Sequence, residues 1–238
     1  MKILAVDSSS ITASVAITED EKVIAEFFMN AGLTHSQTLA PMIDAVLNSS
    51  NTKPEDIDVY AITTGPGSFT GLRIGAATVK AMAFANNRPC VGVSSLEALA
   101  YNSSIESGLI CACMDARCDQ VYTALFESSG GVIRRVTEDS ADLIPNLTEK
   151  LKNMDKNVEF VGDGALSCYN RIMASESSDR YSILPEYNRY VKAYNIARLA
   201  LKKYNCGEFC TSENLELNYL RAPQAERQLN ERLSKSKR

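Results

Sequence analysis

The chain is almost without histidine: His35 is the only one among 238 residues. A single imidazole excludes a metal site built on paired histidines. A Ser-His-Asp or Cys-His catalytic arrangement stays open only through His35 itself. No apolar run approaches the roughly 20 residues that a membrane-crossing helix needs, and the opening MKILAVDSSS turns polar too soon for a secretory signal. The expected location is therefore the cytoplasm, with no membrane partner. The seven cysteines are odd in number and include no C-x-x-C pair, so neither a disulfide framework nor a thioredoxin-like motif is indicated. They read as reduced core thiols, with Cys111 and Cys113 alternating on one face of a strand. No Lys-Ser/Thr pair follows the glycine-rich turn at residues 65–71, which excludes a Walker loop.

What is present is ordinary globular composition, 45% hydrophobic and 23% charged, enough for a sizeable core. The length suits one large domain or two of about 120 residues. The net charge of −4 is unevenly spread: from Arg221 onward six Lys or Arg face two Glu, so the first 220 residues carry −8. An acidic body with a basic end argues against a broad phosphate-binding surface. The end, QLNERLSKSKR, reads as a solvated basic tail.

The organising stretch is TTGPGSFTGLRIG, Thr63 to Gly75. It follows the apolar run DVYAI, read as a buried strand at Asp58–Thr63, and leads into an alanine-rich segment, so the order is strand, sharp turn, helix. Glycine flanking proline permits a tight turn, and Ser68 or Thr70 can cap the helix expected over Ser68–Asn87. That N-terminus is a possible anion site. Behind it, Gly71, Gly75, Val79 and Ala83 recur every four residues. Glycine inside a helix costs about 1 kcal/mol against alanine, so close backbone approach is implied, either by a helix of the same domain or by one of another subunit.

Taken in order, strands are expected at residues 2–8, 14–18 and 22–29. A helix follows, with Leu39, Met42, Ile43, Val46 and Leu47 on one face, starting near Thr38 so that Pro41 falls in its first turn. After the organising stretch come a strand at Cys90–Ser94 and a helix capped by Ser95. The order then begins again: GLICACMDA, QVYTALFES and GVIRRVTE as strands, a helix over Asp142–Met154, VEFVGDGA, a helix over Ala165–Ala174, the strand YSILP and a helix over Arg189–Tyr204. Asp7 and Asp115 each end a first strand, and Gly65 corresponds to the turn Gly162-Asp163-Gly164. The expectation is an α/β protein of two RNase H-like lobes of the actin, heat-shock ATPase and sugar kinase (ASKHA) type. The N-terminal lobe spans residues 1–105, a more divergent second lobe 106–220, and the basic tail 221–238.

Six segments carry a closer resemblance: LAVDSSS, HSQTLAPMID, GPGSFTGLRIG, VGVSSLEALA, the MDAR of Met114 to Arg117 with QVY after it, and the YLR of Tyr219 to Arg221. Together they resemble the TsaB (YeaZ) family. The resemblance implies a non-catalytic bacterial subunit needed to make N6-threonylcarbamoyladenosine (t6A) at position 37 of tRNA. Such a subunit works with its catalytic paralogue TsaD and the ATPase TsaE, forms a homodimer when TsaD is absent, and meets tRNA only through the complex. Metal-binding relatives carry H-x-x-x-H on the first helix, whereas His35 is followed four residues later by Leu39, so no metal and no catalytic residue are implied. The partner-binding residues expected are Ser36, Leu39, Met42, Ile43 and Val46 on the first helix, and Phe69, Gly71, Leu72, Arg73, Gly75 and Ala76 on the second. Asp7, Ser8 and Ser9 are similar to the superfamily's phosphate loop with Ser9 in place of its glycine, which makes them candidate nucleotide-binding residues and ATP a candidate cofactor. The alternative function is an ATP-binding phosphotransferase or ATPase of the same superfamily.

Overall fold

A computed structural model describes residues 1–221. The tail expected at residues 221–238 therefore lies, apart from Arg221, outside the described residues. The first sheet holds β1 (Lys2–Asp7), β2 (Ala13–Glu19), β3 (Lys22–Met29), β4 (Val59–Gly65) and β5 (Cys90–Ser94) in the order β3-β2-β1-β4-β5. The second holds β6 (Ser107–Asp115), β7 (Gln120–Ser129), β8 (Val132–Arg135), β10 (Val158–Val161) and β11 (Tyr181–Ile183) in the order β11-β10-β6-β7-β8, and β9 (Ser140–Leu143) pairs with β7 beside β8. Read from the opposite edge, the second order repeats the first: a three-strand antiparallel meander, then two parallel strands beside the first strand. The expected duplication is present, and the fold class is the two-lobed α/β one.

Period-two alternation buries both faces of the central strands. In β1, Ile3 and Ala5 join the core shared by the two lobes, while Leu4 and Val6 face α1 (His35–Ser49) and α2 (Phe69–Ala85). In β6, Ile110, Ala112 and Met114 face the shared core, and Leu109, Cys111 and Cys113 face α4 (Ile144–Lys152) and α5 (Ala165–Ser175). Between the two sheets lie α3 (Ser95–Ala100) and α6 (Ala193–Asn205). The cysteine expectation holds at the second sheet, where Cys111 and Cys113 share a face with their sulfurs 3.4 Å apart.

Several boundaries differ from the sequence reading for identifiable reasons. α1 starts at His35 with Thr34 as its N-cap, so Pro41 sits in the helix interior. Pro41 and Gln37, the residue whose carbonyl loses its donor, are both exposed, so that carbonyl is open to solvent. The cap of α3 is Ser94, whose hydroxyl accepts from the Glu97 amide, and not Ser95. The helix expected over Asp142–Met154 begins only at Ile144, and Asp142 and Leu143 belong to β9, which escaped the sequence reading because SADL is short and polar, as suits a strand at a sheet edge. α6 begins at Ala193, after a 3-10 turn at Glu186–Asn188, so Tyr190 lies outside it. Its buried face is Ala193, Asn195, Ile196, Ala197, Leu199 and Ala200, whereas Tyr194, Leu201 and Tyr204 are only half-buried.

α6 also lies elsewhere than its place in the chain suggests. It follows the second sheet in sequence but packs against β1, β2, β4 and β5 of the first. Polar ties reinforce the crossing. The Tyr194 amide donates to Glu26 at 2.9 Å, the Ser14 hydroxyl to the Val191 carbonyl at 3.1 Å, and the Asn102 amide to the Asn188 and Tyr190 carbonyls at 2.9 and 2.6 Å. Ile196 is fully buried in the core that unites both sheets. Ile196→Ala should therefore cost about 2–5 kcal/mol. Urea unfolding followed by circular dichroism and by tyrosine fluorescence should show one shifted transition by both probes.

Candidate functional site

In each lobe the parallel strand beside the first strand runs into a glycine turn that leads into a helix. Gly65, at the end of β4, and Gly162, after β10, have φ of +116° and +114°, values that L side chains rarely adopt. A Cβ on Gly162 would stand 1.9 Å from the Cys113 carbonyl oxygen, and one on Gly65 would stand 2.5 Å from that of Asn218. Both turns therefore press against neighbouring backbone, and the correspondence of Gly65 with Gly162 is borne out in the conformation.

The turn of the first lobe is locked to the β1–β2 loop. Ser68 caps α2 by accepting from the Gly71 amide at 3.2 Å, and its own amide donates to the Ser9 carbonyl at 2.6 Å. The Ser8 hydroxyl donates to the Gly71 carbonyl at 2.9 Å. Added Cβ atoms at Gly67, Gly71 and Gly75 would stand 2.3, 2.1 and 2.3 Å from Ser9 O, Ser8 O and Ser8 Oγ. The close neighbour that the glycine spacing foretold is thus this loop of the same lobe, and neither a helix nor another subunit. His35 fastens the loop as well, since its Nε2 donates to the Ser10 carbonyl at 2.8 Å.

Asp7 is fully buried. Its Oδ1 accepts from the Ser9 amide at 3.1 Å and from the Thr63 hydroxyl at 2.6 Å. Burial holds its carboxyl above the ordinary carboxylate range, against the lowering influence of Thr63 and Ser9. Among the described residues, Asp7 Oδ2 and Ser9 Oγ have no hydrogen-bond partner. In the second lobe, Asp115 Oδ1 accepts from the Arg117 amide at 2.8 Å and Asp163 Oδ1 from the Asp115 amide at 2.9 Å. Burial, with Asp115 alongside, pushes the Asp163 carboxyl up to about 6.

The two sets of loops face each other across a cleft of about 520 Å³. Ser9, Ser10 and Ser68 line one wall, Asp115, Arg117 and Asp163 the other, and Tyr219 to Arg221 the rim. Asp7 is not among the lining residues; it lies behind the Ser9 wall. The rim is a segment whose placement the sequence did not disclose. The Asn218 amide donates to the Thr64 carbonyl at 2.8 Å, and the Arg221 guanidinium donates to the Ala116 carbonyl at 2.7 Å, joining the lobes. The Tyr219 ring lies 4.6 Å from that of Phe69, and Arg73 covers Phe69 at 3.9 Å while donating from Nε to the Tyr219 hydroxyl at 3.2 Å. The YLR tripeptide was the one available signal, visible as a motif but without a partner.

Most of the expected partner-binding residues are interior. Leu39, Met42, Ile43 and Val46 are no more than 5% exposed and, with Ala76, fill the core beneath α1 and α2. Leu72, Gly71 and Gly75 are buried too. These eight hold the helices in place and offer little or no surface of their own. Ser36 and Arg73 are exposed and Phe69 half-buried. The solvent side of α2 instead presents Thr70, Ala77, Ala81, Phe84 and Ala85, and that of α1 presents Gln37, Ala40, Pro41 and Asp44.

A curated relative, the tRNA threonylcarbamoyladenosine biosynthesis protein TsaB of Bacillus subtilis, is 37% identical over 162 residues, covering 68% of this chain and 71% of that protein. The chain belongs to the TsaB family. The TsaB of Escherichia coli agrees, at 34% identity over 167 residues, covering 69% of this chain and 72% of that protein. The family described as TsaD, tRNA N6-adenosine threonylcarbamoyltransferase, matches residues 29–227, so TsaB and the transferase share one domain type. Among solved structures, YeaZ from Pseudomonas aeruginosa superposes with a TM-score of 0.76 at 24% identity, over 92% of this chain and 99% of that one. The ethanolamine utilization protein EutJ from Carboxydothermus hydrogenoformans follows at a TM-score of 0.54 and 13% identity, over 83% of this chain and 89% of that one. These two likenesses concern the fold alone, and they agree with the two-lobed α/β architecture.

Two outcomes follow from the site. Gly71→Ala, with its Cβ driven onto the Ser8 carbonyl, should cost about 3 kcal/mol, whereas Gly131→Ala, strained in φ but facing open space, should cost about 1 kcal/mol; denaturant titration separates the two. A carboxyl whose folded pKa is raised stabilises the fold below its unfolded pKa, and that contribution is lost as pH rises through the folded pKa. Between about pH 4 and 6 Asp163 should thus erode stability as pH rises, and Asp163→Asn should flatten that part of a melting-temperature profile.

Proposed function

We propose that this chain is the non-catalytic TsaB subunit of a t6A-forming assembly, and that it docks a TsaD-type transferase through the solvent faces of α1 and α2. The observation that carries the docking is the chemistry of α2. Its 17 residues hold two charges, Arg73 and Lys80, and its outer face offers alanines where a solvated helix offers charged side chains. A solvated helix face carries charged and polar side chains, and here the open face carries Arg73 and Thr70 at one end and alanines beyond them. Small side chains let a second helix approach closely, so Ala77 and Ala81 are central, with Ala40 and Pro41 beside them and Ser36, Phe69 and Arg73 at the margin. Leu39, Met42, Ile43, Val46, Gly71, Leu72, Gly75 and Ala76 act indirectly, by fixing the shape of that face. Kinship with the TsaB relatives and the domain type shared with TsaD support this reading.

In the absence of TsaD the same face pairs with a second copy about a two-fold axis. TsaE and tRNA join through the complex, in the cytoplasm. The alternative, an ATP-using phosphotransferase, draws on the cleft and on Ser9 in its wall. It is the weaker reading because the Asp7 carboxylate is turned to Thr63 and to the Ser9 amide.

Ala77→Glu with Ala81→Glu should leave the far-ultraviolet circular dichroism and melting temperature unchanged, because both sites are exposed. The double variant should no longer co-elute with TsaD on a sizing column and should fail to restore t6A in tRNA of cells depleted of the native subunit. Co-elution at wild-type strength would overturn the docking face. Restoration of t6A by a variant that does not bind TsaD would overturn the function.

A further inference from the structure

After α6 the chain returns to the first lobe as a strap, residues 206–221, whose far end carries the Asn218, Tyr219 and Arg221 contacts described above. Its near end is fastened by a backbone bridge. The amides of Cys90 and Cys210 donate to each other's carbonyls at 2.8 and 2.9 Å, forming an antiparallel bridge. Residues paired in this way stand about 5.5 Å apart at Cα, within the range of about 4.4–6.8 Å that a disulfide requires. Directly opposed residues also send their side chains to the same side. The Cys210 sulfur lies 3.7 Å from the Cys90 carbonyl oxygen. Cys90 is fully buried at the edge of β5, and Cys210 is half-buried in the wall of an open groove of about 650 Å³ beside Phe84 and Phe209.

We propose that Cys90 and Cys210 are an oxidisable dithiol, converted by a low-molecular-weight disulfide into a cystine that clamps the strap to β5. The deprotonated Cys210 sulfur, reachable from the groove, attacks one sulfur of the small disulfide. A mixed disulfide forms, one small thiolate leaves, and that thiolate takes up the proton lost by Cys210. The Cys90 sulfur, having lost its own proton, then attacks Cys210 and expels the second small thiolate, which is protonated in turn. Two protein thiols are oxidised and one small disulfide is reduced to two thiols, with nothing left over. Opposed Cβ atoms stand about 4.5–5.5 Å apart, wider than the mean of about 3.8 Å across a disulfide, so the strap shifts to close the bond and the product is readily reduced. Burial raises both thiols, Cys90 to about 11, with Lys80 opposing the shift at each, so the exchange is slow and answers sustained rather than brief oxidation.

The test uses the full chain with Cys118→Ser and Cys206→Ser, which removes the two exposed thiols. The protein is incubated with oxidised glutathione, alkylated and examined by intact mass and peptide mapping. Expected are a loss of two hydrogens, a cross-linked peptide joining Cys90 to Cys210, and full reversal by dithiothreitol. Adding Cys210→Ser should abolish the reaction, and adding Cys90→Ser should stop it at a glutathione adduct on Cys210. A persistent adduct on Cys210 beside a free Cys90, a cross-link between other cysteines, or unreacted thiols throughout would each overturn the proposal. Should Cys90→Ser fail to fold, mapping of the parent decides alone.

Discussion

The backbone of Ser8 and Ser9 lies against the first turns of α2 at a spacing that only glycine allows, and much of the first lobe depends on that contact. It fixes where α2 starts, because the amide after Gly67 bonds the loop and the same serine caps the helix. It sets the height of α2 above β1 and β4, and so how Leu72, Ala76 and Val79 enter the core. It also sets the depth of the cleft wall, since Ser9 belongs both to the contact and to the wall.

This seating changes the reading of the phosphate-loop resemblance. In an open loop, Asp7, Ser8 and Ser9 would present a carboxylate, a hydroxyl and free amides to a ligand. Here the Ser8 hydroxyl is given to Gly71, the Ser9 amide to Asp7, and the Ser9 carbonyl to Ser68. Much of the loop's hydrogen-bonding capacity is turned to its own lobe, leaving Asp7 Oδ2 and Ser9 Oγ without a partner among the described residues, and the glycines that permit this lie in and just before α2 rather than in the loop. A lobe stiffened in this way suits a subunit that presents a fixed surface to a partner.

The fold was largely legible in the sequence. Alternation in KILAVD and in GLICACMD, and the glycine turns after DVYAI and VEFV, were enough to find both meanders and to align the lobes. Two kinds of error have physical causes. Helical spacing showed that Leu39, Met42, Ile43 and Val46 share a face, but it does not say whether that face meets the home sheet or a visitor; burial assigns it to the home sheet. Spacing likewise disclosed that something must come close to Gly71 and Gly75, while the neighbour, 63 residues earlier in the chain for Ser8 and Gly71, is set by tertiary packing alone. The strap was illegible for a third reason: its contacts run through backbone groups and single aromatic rings, which leave no periodic signature.

The position of α6 and the strap bears on how the protein is made. On its inner face, the sheet begun by residues 2–7 is covered by α3 and, over β1 and β2, by residues 193–205, and its turn at Thr64 and Gly65 is met late in the chain by Asn218. During synthesis the N-terminal half must therefore wait, its inner face only partly covered, until nearly the whole described chain has left the ribosome. Contacts so distant in sequence make for slow folding and a long interval of vulnerability to aggregation. Truncation near residue 190 would strike the first lobe, whose sequence it leaves intact, as hard as the second.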